Sequence, residues 1–324
     1  MDLINGFTTT AIAKAVSILK AGGLVAFPTE TVYGLGADAL NPYAVAKIFE
    51  IKKRPRFDPL IVHVGEKEWV NSYAEHIPRV AKNLIDRYWP GPLTIILQKK
   101  KTILDIVTAG LPTVGLRMPS HPVALNLIRS FQRPIAAPSA NPFGYVSPTR
   151  ALHVARMFKN REITVLDGGD SPLGIESTIV SFQDSTICVH RYGALCVEEL
   201  ASMGEVIEAK KKDTLCNAPG ELPYHYAPHK PVNIIEGAHE ITTVNSSFLA
   251  FTKPQDSVKA KYILWLSDTG DMKEAAAHFF SYLIELDKED IDVIYVQRIP
   301  EEGLGRAMME RLKKASKKFK TLRH

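Results

Sequence analysis

Cysteine is scarce in this chain of 324 residues: Cys188, Cys196 and Cys216 are all there is. The number is odd, and no two of them show C-x-x-C spacing. That argues against a disulfide framework and against a structural zinc site, and a reducing, cytoplasmic compartment is expected. No run approaches the roughly 20 apolar residues of a membrane helix. Residues 1–10 show no basic region leading into an apolar one, so no secretory leader is read. Charge of one sign is lacking too. Forty basic residues face 35 acidic ones, a net of +5, which suits an anionic ligand without implying nucleic acid. Aromatics are 8% and cluster nowhere, which leaves no evident platform for stacked bases. The sequence also has no G-x-x-x-x-G-K-[ST], no complete G-x-G-x-x-G, no H-E-x-x-H and no G-x-S-x-G. A Walker loop, a dinucleotide fingerprint, a zinc-protease helix and a hydrolase elbow are thereby set aside. Any nucleotide must be held by a less common route.

What is present is 45% hydrophobic, ordinary for a globular chain. The apolar residues alternate between short runs and helical stripes. Helices are expected over 11–20, 42–52, 77–88, 122–129, 149–158 and 197–208. Strands are expected over 24–27, 60–64, 93–97, 114–118, 135–137, 163–166, 178–182 and 187–191. Threonines 8–10 and Asn41 offer N-caps, and Pro42 suits a first helical position. A basic and proline-rich stretch, with Pro219, Pro223, Pro228 and Pro231, then breaks the pattern and reads as an extended linker. Beyond it strands are expected over 232–235, 248–251, 263–266 and 293–296, with helices over 273–286 and 304–318. The class is α/β. The expected units are a first domain over 1–208, a linker over 209–231 and a small α/β domain over 232–324.

Four polar clusters lie beside predicted strand ends, where ligands favour α/β sheets. The first, PTETVYGLG from Pro28 to Gly36, crowds hydroxyls and a carboxylate onto a glycine-bearing turn; a plain capped turn would look the same. The second places Lys52, Lys53, Arg54 and Arg56 before Asp58 and His63. Guanidinium groups grip phosphate in pairs, although a solvated helix end would also favour cations. The third sets Arg117 in an apolar strand, where its charge needs a ligand anion or a structural carboxylate. The fourth joins Ser139, Asn141 and Ser147 to the Glu176-Ser177-Thr178 run.

Taken in order, these segments resemble a known family. Residues 20–64, KAGGLVAFPTETVYGLGADALNPYAVAKIFEIKKRPRFDPLIVHV, are similar to the opening signature of the YrdC family of threonylcarbamoyl-AMP synthases. TVGLRMP from Thr113, APSAN from Ala137, STIV from Ser177 and RYG from Arg191 resemble the rest of its domain. APG from Ala218, HYAP from His225, GLG from Gly303 and Arg311-Leu312 resemble the linker and C-terminal domain of the long form. The resemblance implies a twisted mixed sheet around a concave, basic cavity, followed by a small Rossmann-like α/β domain. It implies the reaction of L-threonine, bicarbonate and ATP to threonylcarbamoyl-AMP and pyrophosphate, for modification of adenosine 37 in tRNAs reading codons that begin with A. Mg²⁺ is expected to accompany ATP, with few protein ligands.

By the same resemblance Lys52 and Arg54 hold the triphosphate, and Arg117 sits where threonine meets phosphate. Thr31, His63 and Ser177 position threonine over a floor that includes Tyr33. Asp58, Thr113, Ser139, Asn141, Ser147 and Arg191 belong to the nucleotide pocket. Ala218, His225 and Tyr226 belong to a linker that covers the site. Partners beyond the substrates are a transient contact with the downstream transferase and weak RNA binding; no membrane is expected. Many relatives carry asparagine in place of Asp58. The carboxylate is expected to repel triphosphate unless Arg56 or Mg²⁺ intervenes, so Asp58→Asn should leave ATP affinity equal or better. Some long-form relatives carry serine in place of Ala218, which removes a linker hydroxyl here. Rival readings are an RNA-docking YrdC-like module without turnover, which would not need Thr31, His63 and Ser177, and carbamoyl-adenylate chemistry in hydrogenase maturation.

Overall fold

A computed structural model describes residues 1–209, 219 and 225–320; Ala218 and Cys216 lie outside them. The strands are β1 (Asp2–Asn5), β2 (Val25–Phe27), β3 (Gly34–Asp38), β4 (Ile61–His63), β5 (Leu93–Gln98), β6 (Thr113–Arg117), β7 (Ile135–Ala136), β8 (Thr164–Asp167), β9 (Thr178–Gln183), β10 (Thr186–Arg191), β11 (Val206–Glu208), β12 (Val232–Ile235), β13 (Ser246–Thr252), β14 (Tyr262–Ser267) and β15 (Val293–Gln297). The helices are α1 (Thr9–Lys20), α2 (Pro42–Lys52), α3 (Val70–Tyr73), α4 (Arg79–Tyr88), α5 (Asp105–Thr108), α6 (Pro122–Phe131), α7 (Ala151–Met157), α8 (Val197–Ala201), α9 (Met272–Leu286) and α10 (Leu304–Lys320).

Among the described residues, eleven strands form one mixed sheet in the order β1-β8-β2-β3-β7-β4-β6-β5-β9-β10-β11. A second sheet, β12-β15-β13-β14, is parallel throughout. The mixed α/β class and the second C-terminal unit are as expected. Local chemistry sets the helices. Thr8 Oγ1 accepts from Ala11 N at 3.2 Å and caps α1. Ile12, Val16 and Leu19 turn inward, and Gly22 takes φ +73 just beyond the helix end. Asn41 Oδ1 caps α2, with Pro42 in the first turn as expected. At its other end Lys53 adopts a left-handed φ of 53, and Arg54 N donates back to Phe49 O at 2.9 Å.

Three strands depart from the sequence reading. The segment read as a glycine turn contains β3, which is wholly buried between β2 and β7. A Cβ on Gly36 would lie 2.7 Å from both Phe27 and Ile135, so the glycine makes room for neighbours and does not bend the chain. The helix expected over 197–208 ends at Ala201 in α8, and β11 follows, parallel to β10. At the N-terminus, β1 pairs with β8.

Alternate residues along the sheet face opposite cores. Val25, Phe27 and Ile135 pack with α1 and α6, while Ala26, Val62 and Ala136 join the larger cluster on the other side. A third cluster crosses between the two sheets. Val32, Val146 and Ile175 pack with Tyr226, Phe280 and Leu312. The backbones come close enough there that Gly174, at φ +63, has no room for a Cβ: it would lie 2.2 Å from Ala276 O.

Candidate functional site

The strand β4 is three residues long, and its alternation points Ile61 and His63 to the same face. In-register pairing sets His63 beside Arg117 at the end of β6. The β2–β3 turn carries Thr29 and Thr31, and Ser139 bridges to Gly34 at its end. Ser177 precedes β9 and Arg191 ends β10. Together these residues line a cavity of ≈ 50 Å³ whose wall also holds Arg54, Glu176, Pro219, His225 and Tyr226. The cavity therefore lies beside β4 and gathers residues from the ends of β4, β6 and β10 and from just before β9.

The basic cluster splits in two. Lys53 and Arg56 are exposed, while Lys52 and Arg54 turn inward. The left-handed Lys53 is what reverses the chain between them. Arg54 is 7% exposed and pairs with Asp58 at 2.8 Å, and it also donates to Asp58 O and Pro59 O. Arg54, not Arg56, is thus the cation that meets Asp58, and Asp58 anchors a cavity residue from behind the wall. This removes the premise of a carboxylate facing triphosphate. Lys52 Nζ donates to Ser139 O at 2.6 Å and to Asn141 O. Burial, then the charge of Arg54, pushes its ammonium well below the usual lysine range, against the pull of Asp58. Lys52 is not on the cavity wall; it organises the 139–141 loop.

Arg117 has a structural carboxylate as its partner: Glu30 Oε1 accepts from it at 2.6 Å, and Glu30 Oε2 accepts from Ser120 N at 3.0 Å. His63 is pushed down to about 3 by burial and by Arg117, and it stands edge-on to Phe27 at 5.9 Å. It is a neutral imidazole at working pH. Its Nδ1 has no hydrogen-bond partner among the described residues. Thr31 Oγ1 meets Thr29 Oγ1 at 2.8 Å. Ser177 Oγ meets Thr94 Oγ1 at 2.8 Å, and Arg191 donates to both Ser177 Oγ and Ser177 O. Beneath them Gly193 lies so close that a Cβ would sit 2.4 Å from Glu176 O and Thr178 N.

Tyr33 does not reach the cavity. Its hydroxyl donates to Gly169 O at 2.7 Å, which turns the ring into the core. Asn141 and Ser147 lie behind the wall: Asn141 donates to Pro142 O and Tyr145 O, and Ser147 donates to Glu176 Oε1. Thr113 lines a smaller neighbouring pocket with Thr94, Thr108, Ile61 and Pro219.

Above the cavity, Arg191 Nη1 donates to Pro219 O at 3.2 Å. His225 stacks edge-on against Phe143 at 5.7 Å, and burial plus the nearby cations Arg54 and Lys52 keep it neutral. Tyr226 holds a left-handed φ of 64. The segment from His225 to Lys230 is fastened at Asp287, whose carboxylate accepts from Tyr145 OH at 2.7 Å, His229 N at 2.9 Å and Lys230 N at 3.0 Å.

Glu176 and Arg311 are charged residues of the site that were not assigned from sequence. Glu176 lines the cavity. Arg311, from α10, is 1% exposed and donates to Glu176 Oε2 at 3.2 Å, with its guanidinium 5.2 Å from the Tyr226 ring centre. A signal existed for the second. Met308, Leu312 and Ala315 form the inward stripe of α10, and Arg311 falls on that stripe, where a charge demands a partner. Among the described residues no group of three or more His, Cys, Asp or Glu could hold a metal, and no helix is long and apolar enough to cross a membrane.

Residues 17–193 match the family model of Sua5, YciO and YrdC proteins, described as "Telomere recombination", and residues 195–317 match "Threonylcarbamoyl-AMP synthase, C-terminal domain". The threonylcarbamoyl-AMP synthase of Pyrococcus abyssi is 41% identical, with 94% of each chain covered. That of Bacillus subtilis is 39% identical, covering 94% of this chain and 92% of the relative. That of Schizosaccharomyces pombe is 34% identical, covering 95% and 89%. The crystal structure of P. abyssi Sua5 complexed with L-threonine superposes with a TM-score of 0.90 at 37% identity, over 98% of both chains.

Proposed function

The chain belongs to the Sua5/YrdC family of threonylcarbamoyl-AMP synthases in its two-domain form, and from that premise we propose that the cavity beside β4 is where L-threonine, bicarbonate and ATP are joined. The product is L-threonylcarbamoyladenylate, the activated intermediate for threonylcarbamoyl modification of adenosine 37 in tRNAs reading codons that begin with A. The enzyme is a nucleotidyltransferase. The observation that carries the site is the convergence of Arg54, His63, Arg117, Ser177 and Arg191 on one cavity.

The chemistry asks for positioning and charge neutralisation more than for a covalent nucleophile. The threonine amine adds to bicarbonate with loss of water, the carbamate oxygen attacks the α-phosphorus, and pyrophosphate leaves. Thr31, His63 and Ser177 orient threonine. Neutral His63 contributes a hydrogen bond and no charge. Arg117, held by Glu30, faces the forming carbamate–phosphate junction. Arg54 grips the triphosphate with its fork aligned by Asp58. Lys52 acts with it through the Ser139–Asn141 loop that it holds. Arg191 and Ser139 face the nucleotide directly, Asn141 and Ser147 brace it from behind, and Thr113 borders the adjoining pocket. Mg²⁺ enters with ATP as part of the substrate, its ligands coming from phosphate and water. The cavity's carboxylate, Glu176, is already engaged by Ser147 and Arg311.

His225 and Tyr226 close the site within a linker over 209–231 that joins a catalytic unit, 1–208, to a C-terminal unit, 232–324. Such a cover keeps water from the labile carbamate and adenylate. The enzyme works in the cytoplasm, hands its product to the transferase by transient contact, and touches RNA weakly.

The test is pyrophosphate release by the full chain with ATP and Mg²⁺, omitting L-threonine or bicarbonate in turn. Release that needs both, with serine much weaker than threonine, is the expected result. ATP binding without release under any combination would point to a missing partner. No ATP binding at all would sink the reading in favour of an RNA-docking module.

A further inference from the structure

The C-terminal sheet ends at β14, which pairs with β13 on one side and, among the described residues, with no strand on the other. Residues 261–264 all line one cleft of ≈ 510 Å³. Successive side chains of a strand point to opposite faces, so a run of consecutive lining residues means that the cleft follows the free edge of the strand. Along such an edge every other residue turns its N–H and C=O away from the sheet, an arrangement that templates a further strand. The opposite wall is α7, where Leu152 is 55% exposed. The cations of the cleft are Arg150, Arg156, Lys261 and Lys288, against the carboxylate of Glu285. His153, pushed down to about 4 by burial and by Arg150 and Arg156, adds no charge. Arg150 is engaged by Asp170 and Glu285, each at 2.9 Å, and Lys261 by Asp290. Arg156 and Lys288 meet no carboxylate among the described residues; Lys288 stands 6.0 Å from the centre of the Tyr262 ring. The cleft thus sets uncommitted positive charge beside an unpaired strand edge.

We propose that this cleft is a docking site for an extended acidic segment of a partner protein, which adds to β14 as a further strand. A strand edge presents donors and acceptors in alternation. A phosphate backbone would bring acceptors and negative charge against the outward carbonyls, whereas a peptide returns both kinds of group. Main-chain bonds then supply affinity, and alternate side chains supply the choice of partner: acidic ones for Arg156 and Lys288, apolar ones for Leu152 and Ile263. The occupant would touch α7, which precedes the segment from His225 to Lys230, and β14, which follows it. Leu286 and Lys288 of the cleft flank Asp287, where that segment is fastened, so docking takes place next to the fastening point.

The test is fluorescence anisotropy of a short labelled peptide, alternating glutamate and valine, titrated with the full chain at low salt. Binding is expected, and the same peptide with lysine in place of glutamate should not bind. Strand addition has its own signature: N-methylation of one alternate set of peptide bonds should abolish binding, and methylation of the other set should be tolerated, because one set alone faces β14. The Arg156→Glu/Lys288→Glu double variant should bind the acidic peptide about tenfold more weakly, with the melting temperature and pyrophosphate release of the wild type. Charge dependence without the N-methylation pattern would overturn the proposal in favour of a general anion patch, open to nucleic acid. Equal binding by variant and wild type would overturn it, as would no binding at all. Self-association of the chain that the double variant relieves would make a second copy the occupant and overturn the acidic partner.

Discussion

Breaking the Arg54–Asp58 pair tests how the cavity holds its cations. Asp58→Asn leaves a buried guanidinium without its counter-charge, at about 3 kcal/mol, and loosens the fork. The KM for ATP should rise several-fold, with denaturant unfolding reading the stability loss; unchanged ATP affinity would restore the expectation drawn from sequence. His63 gives a pH signature. Its pKa falls from 6.5 to about 3 on folding. Above pH 6.5 neither state is protonated and stability is unaffected. As pH falls from 6.5 towards 3 only the unfolded chain binds the proton, so stability declines by up to ~1.4 kcal/mol per pH unit from this group. His153, pushed down to about 4 by burial and by Arg150 and Arg156, acts in the same direction. Urea midpoints of His63→Gln should therefore fall less steeply between pH 6.5 and 4 than those of the wild type. At this scale the sequence made residue types legible and partners not. Arg117 announced its need for a partner, but Glu30 lies 87 positions away, and only the folding of the β2–β3 turn against the end of β6 joins them. Tyr33 sat in the right motif and still turns away, because a hydroxyl has to find an acceptor and Gly169 O offers one.

The elements bring these residues within reach through a few tight backbone approaches. Gly193 passes under Glu176, Ser177 and Thr178 with no room for a Cβ. Gly193→Ala should displace Ser177 and cut kcat/KM for threonine at least tenfold by the logic of misplaced reactants, while circular dichroism keeps the native spectrum; wild-type kinetics would mean the strand can shift freely. Helices were the more legible elements, since α2 declares both ends: Asn41-Pro42 opens it and the basic run closes it. β3 was not, because Gly-Leu-Gly looks like a turn until Phe27 and Ile135 are packed over it. β11 was hidden for a different reason. Its three residues carry no pattern of their own and become a strand only by pairing with β10.

At the scale of the whole molecule the two sheets share one apolar cluster, with Val32, Val146 and Ile175 of the first region buried against Tyr226, Phe280 and Leu312. A fragment ending at Glu208 would expose that surface and lose Arg311, His225 and Tyr226. It should aggregate or melt well below the full chain, and any soluble fraction should release free AMP in place of stable adenylate; full rate and product stability would refute the covering role of the linker. The Asp287 fastening has a kinetic corollary. A cavity of ≈ 50 Å³ is far smaller than ATP, and if the segment that carries His225 and Tyr226 covers it as proposed, substrates associate with molecules whose fastening is momentarily undone. Measured affinity is then the intrinsic affinity scaled by that open fraction. If about one molecule in ten is open, binding looks tenfold weaker than it is. Asp287→Ala would thus appear to improve the enzyme, capturing ATP faster and more tightly, while turning over more slowly: a gain in binding that is a loss of gating.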